Sequence, residues 1–426
     1  MASSAWMGTY RMLRMLAAFG VAVMVARYLG PEQYGMLSYA LALVMLVTGI
    51  AGPGMKDVLT RQLAEFPARQ YQTIRAGFRL MLGLNTLTLI LAMALIILLR
   101  PQSQILWLLT AILGLGNLLR AFEAYELWYH FRLKMSRTVL VQAASFFTFA
   151  LFKLMLIWWD AGLIWIAAAV IFELLGNAAG FWLLYRKDPP DSADAPRGSS
   201  FRTEKLILSK SLPVMGGFLF TTALFKADQL MLGRFSGDAG LGFYAVAVQF
   251  SEYWLYLAAA LVLASYPNLL AARKSSIIAF EQQFRRLCSI LIYSAAAIAV
   301  PVWLTGERII LFFLGDAFLP SSQILSIHIW AVIFVFLIEI LKKYFVIENL
   351  LVAYLKITAF ASLLNIGLNF LLIPLYGGTG AAWASVIAYS AAGFWGLWLF
   401  RETRRPAQLI FQSVLIPIKW LINRLY

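Results

Sequence analysis

The sequence predicts an all-α polytopic membrane protein with about twelve transmembrane helices in two pseudo-symmetric six-helix lobes. Three observations predict this class: long apolar runs from end to end, few charges inside them, and a repeat between the two halves. Of 426 residues, 62% are hydrophobic and only 13% are charged, and the mean hydropathy is +0.78. Because soluble domains carry about 25% charged residues, this composition excludes a water-soluble fold.

The apolar runs have the length of membrane helices. A hydrocarbon core of about 30 Å needs roughly 20 apolar residues, and a spanning backbone must satisfy its own hydrogen bonds, so each run is predicted to be helical. The run 308–318 is too short and is predicted to lie at the interface, as is an amphipathic tail helix over 406–426. The predicted spans are 12–29, 34–54, 76–99, 104–123, 137–158, 161–184, 211–233, 240–265, 287–305, 320–341, 352–375 and 378–400.

The basic residues predict the orientation. With the N-terminus inside, the inner segments hold 26 Lys and Arg residues, and the outer segments hold only Arg27, Arg100, Arg234 and Arg308. We therefore expect a multi-pass protein of the bacterial inner (cytoplasmic) membrane with both termini cytoplasmic and no cleavable signal peptide. The net charge of +15 then reflects loops that face anionic membrane lipids, and no nucleic-acid partner is expected.

A polar stretch divides the chain. Residues 185–210 contain the run KDPPDSADAPRGSS, whose Pro, Ser, Asp and Gly without periodicity are typical of a flexible linker. The predicted organisation is an N-terminal lobe over 1–184, a cytoplasmic linker over 185–210, a C-terminal lobe over 211–400, and a cytoplasmic or interfacial tail over 401–426.

The two halves share a repeat at a constant offset of 207 residues. Residues 24–40 (MVARYLGPEQYGMLSYA) align with residues 231–247 (MLGRFSGDAGLGFYAVA), so that Arg27 meets Arg234 and Gly30 meets Gly237. A weaker similarity pairs LIWWDAG (156–162) with LIPLYGG (372–378). Because six helices is an even number, both halves enter the membrane in the same direction, as in transporters with parallel repeats around a central site.

Four segments carry a resemblance to a known family. They are RYLGPEQYGMLSYALAL (27–43), ELWYHFRLKMSRT (126–138), DQLMLGRFSGDAGLGFYAVA (228–247) and LNIGLNFLLIPLYGGTGAAWAS (364–385). Their order and spacing resemble the Wzx-type flippases, the polysaccharide-exporter branch of the MOP (MATE-like) superfamily. The resemblance implies two lobes and translocation of an undecaprenyl-diphosphate-linked oligosaccharide, as in O-antigen or capsule synthesis, with a polysaccharide polymerase and a chain-length regulator as further partners.

Five ionisable residues lie deep in the predicted spans, where a charge costs about 2.5–3.5 kcal/mol. Because Lys226 and Asp228 are two residues apart, about 200° around a helix, they are not expected to neutralise each other. The set either forms interhelical ion pairs, or Lys153 and Lys226 bind a diphosphate. Asp228, Glu173 and Glu252 are then candidates for proton or sodium counter-transport.

The remaining candidates lie nearer the span ends. The predicted substrate cavity comprises Lys153, Lys226, Arg14, Arg79, Arg120, Asn85 and Asn369, and Arg27 and Arg234 are candidates for an outer gate or for plain helix C-terminal charges. Near the interfaces, Trp107, Trp128, Tyr129, Trp158 and Trp159 are predicted to form an anchoring belt.

The sequence contains no catalytic or metal-binding motif. One cysteine and two histidines predict no metal site and no cofactor, and phosphate-cradling loops and nucleophile elbows are absent from the sequence. A transporter is therefore favoured over an enzyme. The alternatives are a cation-coupled multidrug or small-molecule exporter of the same superfamily, which would favour an acidic N-terminal site, and an O-antigen polymerase or ligase, which would favour a large outer loop.

Overall fold

The computed structural model describes residues 2–49, 53–66, 69–132, 134–190 and 200–414. Every regular element in these ranges is helical, which confirms the predicted all-α class. The α-helices are α1 (Ala2–Thr48), α2 (Pro53–Glu65), α3 (Gln70–Leu99), α4 (Gln104–Leu118), α5 (Glu123–Phe131), α6 (Met135–Trp158), α7 (Gly162–Lys187), α8 (Ser200–Phe235), α9 (Gly237–Glu252), α10 (Leu255–Ser275), α11 (Ile277–Leu314), α12 (Ser321–His328), α13 (Ala331–Ile347), α14 (Leu351–Gly393) and α15 (Arg404–Val414).

The described residues contain up to ten segments that are long and apolar enough to cross a membrane. Two of them, in α1 and α14, are interrupted by glycines with non-helical backbone, Gly30 (φ 69°) and Gly377 (φ 56°). Each glycine divides its helix into two arms, because a left-handed residue changes the chain direction. Counting the arms separately gives the predicted number of twelve.

Three predicted boundaries are wrong. Helix α11 continues to Leu314 and ends at Gly315 (φ 79°), so 308–314 is the last part of a long helix and not a separate element. The last predicted span, 378–400, stops at Gly393, after which Trp395–Trp398 forms a 3-10 turn. The predicted tail helix over 406–426 begins at Arg404, and its residues 415–426 lie outside the described ranges.

The apolar face of α15 packs on α11 instead of facing lipid. Leu409 and Ile410 are buried, and the guanidinium of Arg405 donates to both oxygens of Glu281 at 2.6 and 2.5 Å. The strongly amphipathic pattern of this segment therefore reflects packing on protein over the part of the tail that is described.

By its internal contacts the chain forms two compact units, residues 1–222 and 223–426, with the boundary inside α8. In the first unit α1 packs on α3, α4 and α6, and α6 packs on α7. The close approach of α6 and α7 depends on Gly180, since a Cβ there would lie 2.3 Å from Cγ1 of Val141. Of the predicted linker 185–210, residues 191–199 are outside the described ranges, and helices α7 and α8 cover much of the rest.

In the second unit α9 packs on α12 and α14, while α11 packs on α10, α13 and α15. Helices α9, α12 and α14 therefore meet around one buried volume. The start of this unit, the C-terminal part of α8, supplies Lys226 and Asp228, whose side chains are described below.

The repeat is visible in the backbone. Gly30 and Gly237, which align at the offset of 207, have left-handed φ values of 69° and 74°. In the first unit the Tyr28 hydroxyl donates to Asp160 Oδ1 at 2.8 Å and accepts from the Gly162 amide at 2.9 Å. In the second unit the aligned residue, Phe235, contacts Phe370, with ring centroids 5.7 Å apart. Tyr28 thus contacts the turn after α6, and Phe235 contacts α14, so the chain beside each repeated glycine packs on a later part of its own unit.

Candidate functional site

A fully buried carboxylate lies at the centre of the second unit. Asp228, on α8, is 0% exposed. Its oxygens accept hydrogen bonds from the Tyr244 hydroxyl of α9, from Ser385 Oγ of α14 at 3.1 Å, and from the Gln229 amide at 2.7 Å. These three donors, two hydroxyls from other helices and one backbone amide of α8, suit an ionised carboxylate, because a buried charge needs hydrogen bonds to replace those of water.

Aromatic and histidine side chains extend this arrangement. Ser251 Oγ lies 2.6 Å from His328 Nδ1, and the His328 ring meets the edges of Tyr244 and Tyr389 at centroid distances of 6.0 and 6.1 Å. Among the described residues, His328 Nε2 and the Tyr389 hydroxyl are buried without a hydrogen-bond partner. We call Asp228, Tyr244, Ser251, His328, Ser385 and Tyr389 the Asp228 cluster. Two polar atoms of this cluster therefore retain unused hydrogen-bonding capacity.

Lys226 and Asp228 take separate partners, as the two-residue step suggests. Lys226 Nζ lies 3.3 Å from Glu252 Oε2 of α9, and the two side chains are 14% and 28% exposed. The other oxygen of Glu252 is buried and has no hydrogen-bond partner among the described residues. The pair is therefore electrically neutral but incompletely satisfied.

Two asparagines on α14 form a second polar feature. Asn369 Nδ2 donates to Asn365 Oδ1 at 2.8 Å, and both residues are fully buried. Asn365 Nδ2 and Asn369 Oδ1 lack hydrogen-bond partners within the described part of the chain. One donor and one acceptor thus remain available in this helix.

Two of the predicted deep charges meet within the described residues of the first unit. Lys153 Nζ of α6 lies 3.3 Å from Glu173 Oε2 of α7, and both side chains are less than one fifth exposed. This is the interhelical ion pair that one of the two sequence interpretations predicts. Because the two charges cancel, Lys153 offers a net charge to an anion only if Glu173 is protonated or moves away.

The remaining predicted residues of the first unit are dispersed. The Arg14 guanidinium lies over the Phe146 ring at 5.3 Å, Arg79 lies 3.5 Å from Glu204, and Arg120 lies 3.0 Å from Glu123. Asn85 is buried in α3. The two aligned arginines, Arg27 and Arg234, are exposed, each within its own unit.

The prediction that Trp128 and Tyr129 anchor the protein at the membrane interface is wrong. Both are buried, and they fasten α5 to the end of α7: the Trp128 indole donates to the Asp188 carbonyl and the Tyr129 hydroxyl to the Leu184 carbonyl, each at 2.7 Å. Trp158 and Trp159, by contrast, are exposed. An aromatic residue near a helix end can therefore serve as a structural hydrogen-bond donor.

Sequence reasoning missed most of the Asp228 cluster. Tyr244 and Ser385 lie inside the segments 228–247 and 364–385 that carry the family resemblance, so their motifs were visible but their contact with Asp228 was not. His328 was set aside because two histidines cannot form a metal site. A useful signal would have been the requirement that a buried Asp has hydroxyl or amide donors on neighbouring helices.

Three solved structures share this helical architecture. "Lipid II flippase MurJ, inward closed conformation" has a TM-score of 0.75 at 15% identity, covering 96% of this chain and 89% of that chain. "Inward-facing conformation of a multidrug resistance MATE family transporter of the MOP superfamily" has a TM-score of 0.70 at 12% identity, covering 94% and 96%. A MOP superfamily transporter from Pyrococcus furiosus has a TM-score of 0.62 at 15% identity, covering 94% and 93%.

The fold is therefore the MOP, MATE-like fold. Residues 1–271 match the family described as polysaccharide biosynthesis protein, and the chain belongs to that family. A comparison with curated proteins gave no match.

Proposed function

We propose that this protein translocates undecaprenyl-diphosphate-linked oligosaccharide units from the cytoplasmic to the periplasmic leaflet by alternating access. The observation that carries the proposal is the combination of a polysaccharide biosynthesis family match with the fold of a lipid II flippase. The headgroup's diphosphate and hydroxyls cannot enter hydrocarbon unaided. In the proposed cycle, a hydrated path through the protein lowers that barrier.

The membrane potential adds a driving force in this proposal. A negative charge that moves outward gains about 2.3 kcal/mol per 100 mV, and a diphosphate near −2 gains about twice as much. Exchange for a proton or sodium ion would add to it. We propose that Asp228 carries the counter-ion, because it is a buried carboxylate with hydroxyl donors on two other helices.

The fold also supports a second candidate, a cation-coupled small-molecule exporter, because a multidrug MATE transporter shares the architecture at a TM-score of 0.70. Such a protein would not need a diphosphate site. The two candidates therefore differ in their substrate, and the test must follow the lipid-linked intermediate.

The test is leaflet accessibility of lipid-linked sugar in a strain depleted of this protein. We expect intermediates to accumulate on the cytoplasmic side and to clear on re-expression. Accumulation of unpolymerised units on the periplasmic side would indicate a polymerase or ligase instead, and normal levels of lipid-linked sugar would favour the exporter.

Variants refine the test. We expect Lys153→Ala and Lys226→Ala each to impair export while membrane insertion is retained, and normal export by both would reject a cationic site.

Asp228→Asn keeps the shape and most hydrogen bonds but removes the charge, so we expect slower export that no longer responds to the ion gradient. Arg69→Gln, at an exposed residue outside the candidate sites, is the control.

A further inference from the structure

A basic groove lies in the second unit, where α10 ends and α11 begins. Two cavities of about 440 and 740 Å³ lie there and share Gln283 and Arg286 in their walls. The rest of the polar lining comes from both helices: Ser265 and Asn268 of α10, and Gln282, Arg285 and Ser289 of α11. None of these residues belongs to the Asp228 cluster.

The lining is rich in hydrogen-bond donors and contains no carboxylate. The neighbouring acids are engaged elsewhere: Glu281 pairs with Arg405, and Glu348 pairs with Arg273. Within the described residues, Arg285 and Arg286 form no ion pair, and Arg285 Nε is buried without a hydrogen-bond partner. Two guanidinium groups beside carboxamides are the donor set that binds phosphate oxygens.

Arg285 has one further contact, from Nη1 to Gln412 Oε1 of α15 at 3.3 Å. This long hydrogen bond to a neutral amide holds the side chain without neutralising it. The groove therefore keeps two positive charges next to a preformed cavity.

The depth of the groove indicates where its ligand would lie. Residues 287–306 of α11 are twenty residues without charge, bounded by Arg286 and Glu307. At about 1.5 Å per residue this stretch is about 30 Å long, the thickness of the hydrocarbon core. Arg285 and Arg286 thus lie at the level of lipid headgroups.

We propose that this groove binds a phosphoryl group. Its level in the membrane favours the phosphate of a lipid headgroup over a soluble phosphate. The inference is independent of the transported substrate, because it holds for a flippase and for an exporter. Binding here would hold a phospholipid against α11 at the point where α15 also docks.

The test uses the purified full-length protein in detergent and three probes: dioctanoyl phosphatidylglycerol, dioctanoylglycerol, which lacks the phosphate, and inorganic pyrophosphate. Binding is measured by native mass spectrometry or thermophoresis. Arg286→Gln and Arg285→Gln/Arg286→Gln are compared with Arg69→Gln/Lys187→Gln, which removes the same charge from exposed positions of the first unit. Equal midpoints of thermal unfolding confirm that the variants fold.

We expect the double groove variant to bind phosphatidylglycerol about tenfold more weakly, since charge-assisted hydrogen bonds are lost, and the control variant to bind like wild type. If pyrophosphate competes with phosphatidylglycerol, a soluble phosphate is also a ligand. If pyrophosphate does not compete, the ligand is the lipid. The proposal is overturned if the affinity for phosphatidylglycerol and the affinity for pyrophosphate are each unchanged in every variant. It is also overturned if the groove variants lose dioctanoylglycerol binding to the same extent as phosphatidylglycerol binding.

Discussion

Removing Lys153 alone would leave Glu173 without its ion-pair partner inside the α6–α7 interface. A buried unpaired charge costs several kcal/mol, and because both side chains are partly exposed we expect Lys153→Met to destabilise the protein by about 1–3 kcal/mol. Lys153→Met/Glu173→Met should recover most of that loss. Thermal unfolding in detergent measures both.

The same pair of variants separates structure from transport. If the ion pair only holds the helices together, export should return with stability in the double variant. A stable double variant that still fails to export would contradict this and place Lys153 in the substrate path.

Asp188 supplies a pH-dependent contact at the end of α7. Its carboxylate accepts from Lys134 Nζ at 2.7 Å and from Arg132 at 2.6 Å, and the Lys134 hydrogen bond is the main reason that the pKa of Asp188 lies below its usual 3.8. A carboxyl group whose pKa is lower in the folded state stabilises the fold at pH values above its unfolded-state pKa. That stabilisation is lost as the pH falls through the folded-state pKa. Since the Asp188 side chain is only partly buried, at 25% exposure, solvent screens the interaction and we expect an effect under about 1 kcal/mol.

The comparison is the unfolding midpoint of wild type and Asp188→Asn between pH 7 and pH 3. The difference should be largest near pH 7 and shrink below about pH 4, as Asp188 is protonated. A difference that stays constant across this range would show that the carboxylate charge is irrelevant to stability.

At the scale of elements, the α6–α7 contact depends on a missing side chain. A Cβ at Gly180 would lie 2.3 Å from Val141 Cγ1, so Gly180→Val must push the helices apart, and we expect a loss of about 1–3 kcal/mol. Val141→Ala should partly rescue it, because the clash is with that side chain. Gly83→Val, where a Cβ meets nothing within 4 Å, is the control.

If Gly180→Val and Val141→Ala each destabilise the protein and their effects simply add in the double variant, the strain does not arise from this contact. The unfolding midpoint of the four proteins forms a double-mutant cycle, and a coupling energy above about 0.5 kcal/mol is expected for residues in contact.

Helix existence followed from the sequence more closely than helix ends did. Length and hydropathy predict the spans because lipid forces each apolar run into a helix. The ends depend on tertiary contacts that composition does not contain: α11 continues through Arg308 to Gly315, and Trp128 is turned inward by the Asp188 carbonyl. The deep charges of the site were recognisable, since charges in apolar runs are rare, whereas their neutral partners Tyr244 and Ser385 look like ordinary helix residues.

At the scale of the whole molecule, the basic residues predict which side of the membrane each loop faces. The chain has one cysteine, Cys288, which is buried, so Cys288→Ser gives a cysteine-free background at small structural risk. We expect cysteines placed at 187 or 274 to react with an impermeant maleimide only after the membrane is opened. Cysteines at 100 or 308 should react in intact spheroplasts.

Labelling at all four positions without opening the membrane would indicate leaky preparations, which a cytoplasmic marker enzyme controls. Reaction of 187 and 274 alone in intact spheroplasts would reverse the predicted orientation, and with it the direction of transport that we propose.

The matching left-handed glycines at 30 and 237 fix the alignment of the two copies of the repeat, so that they can be compared position by position. At the same offset of 207, Lys226, Asp228 and Tyr244 correspond to Phe19, Val21 and Leu37. The buried polar centre therefore belongs to one copy only. The residues at these three positions of the first copy are apolar, so the two copies cannot contribute equally to an ion or proton site there.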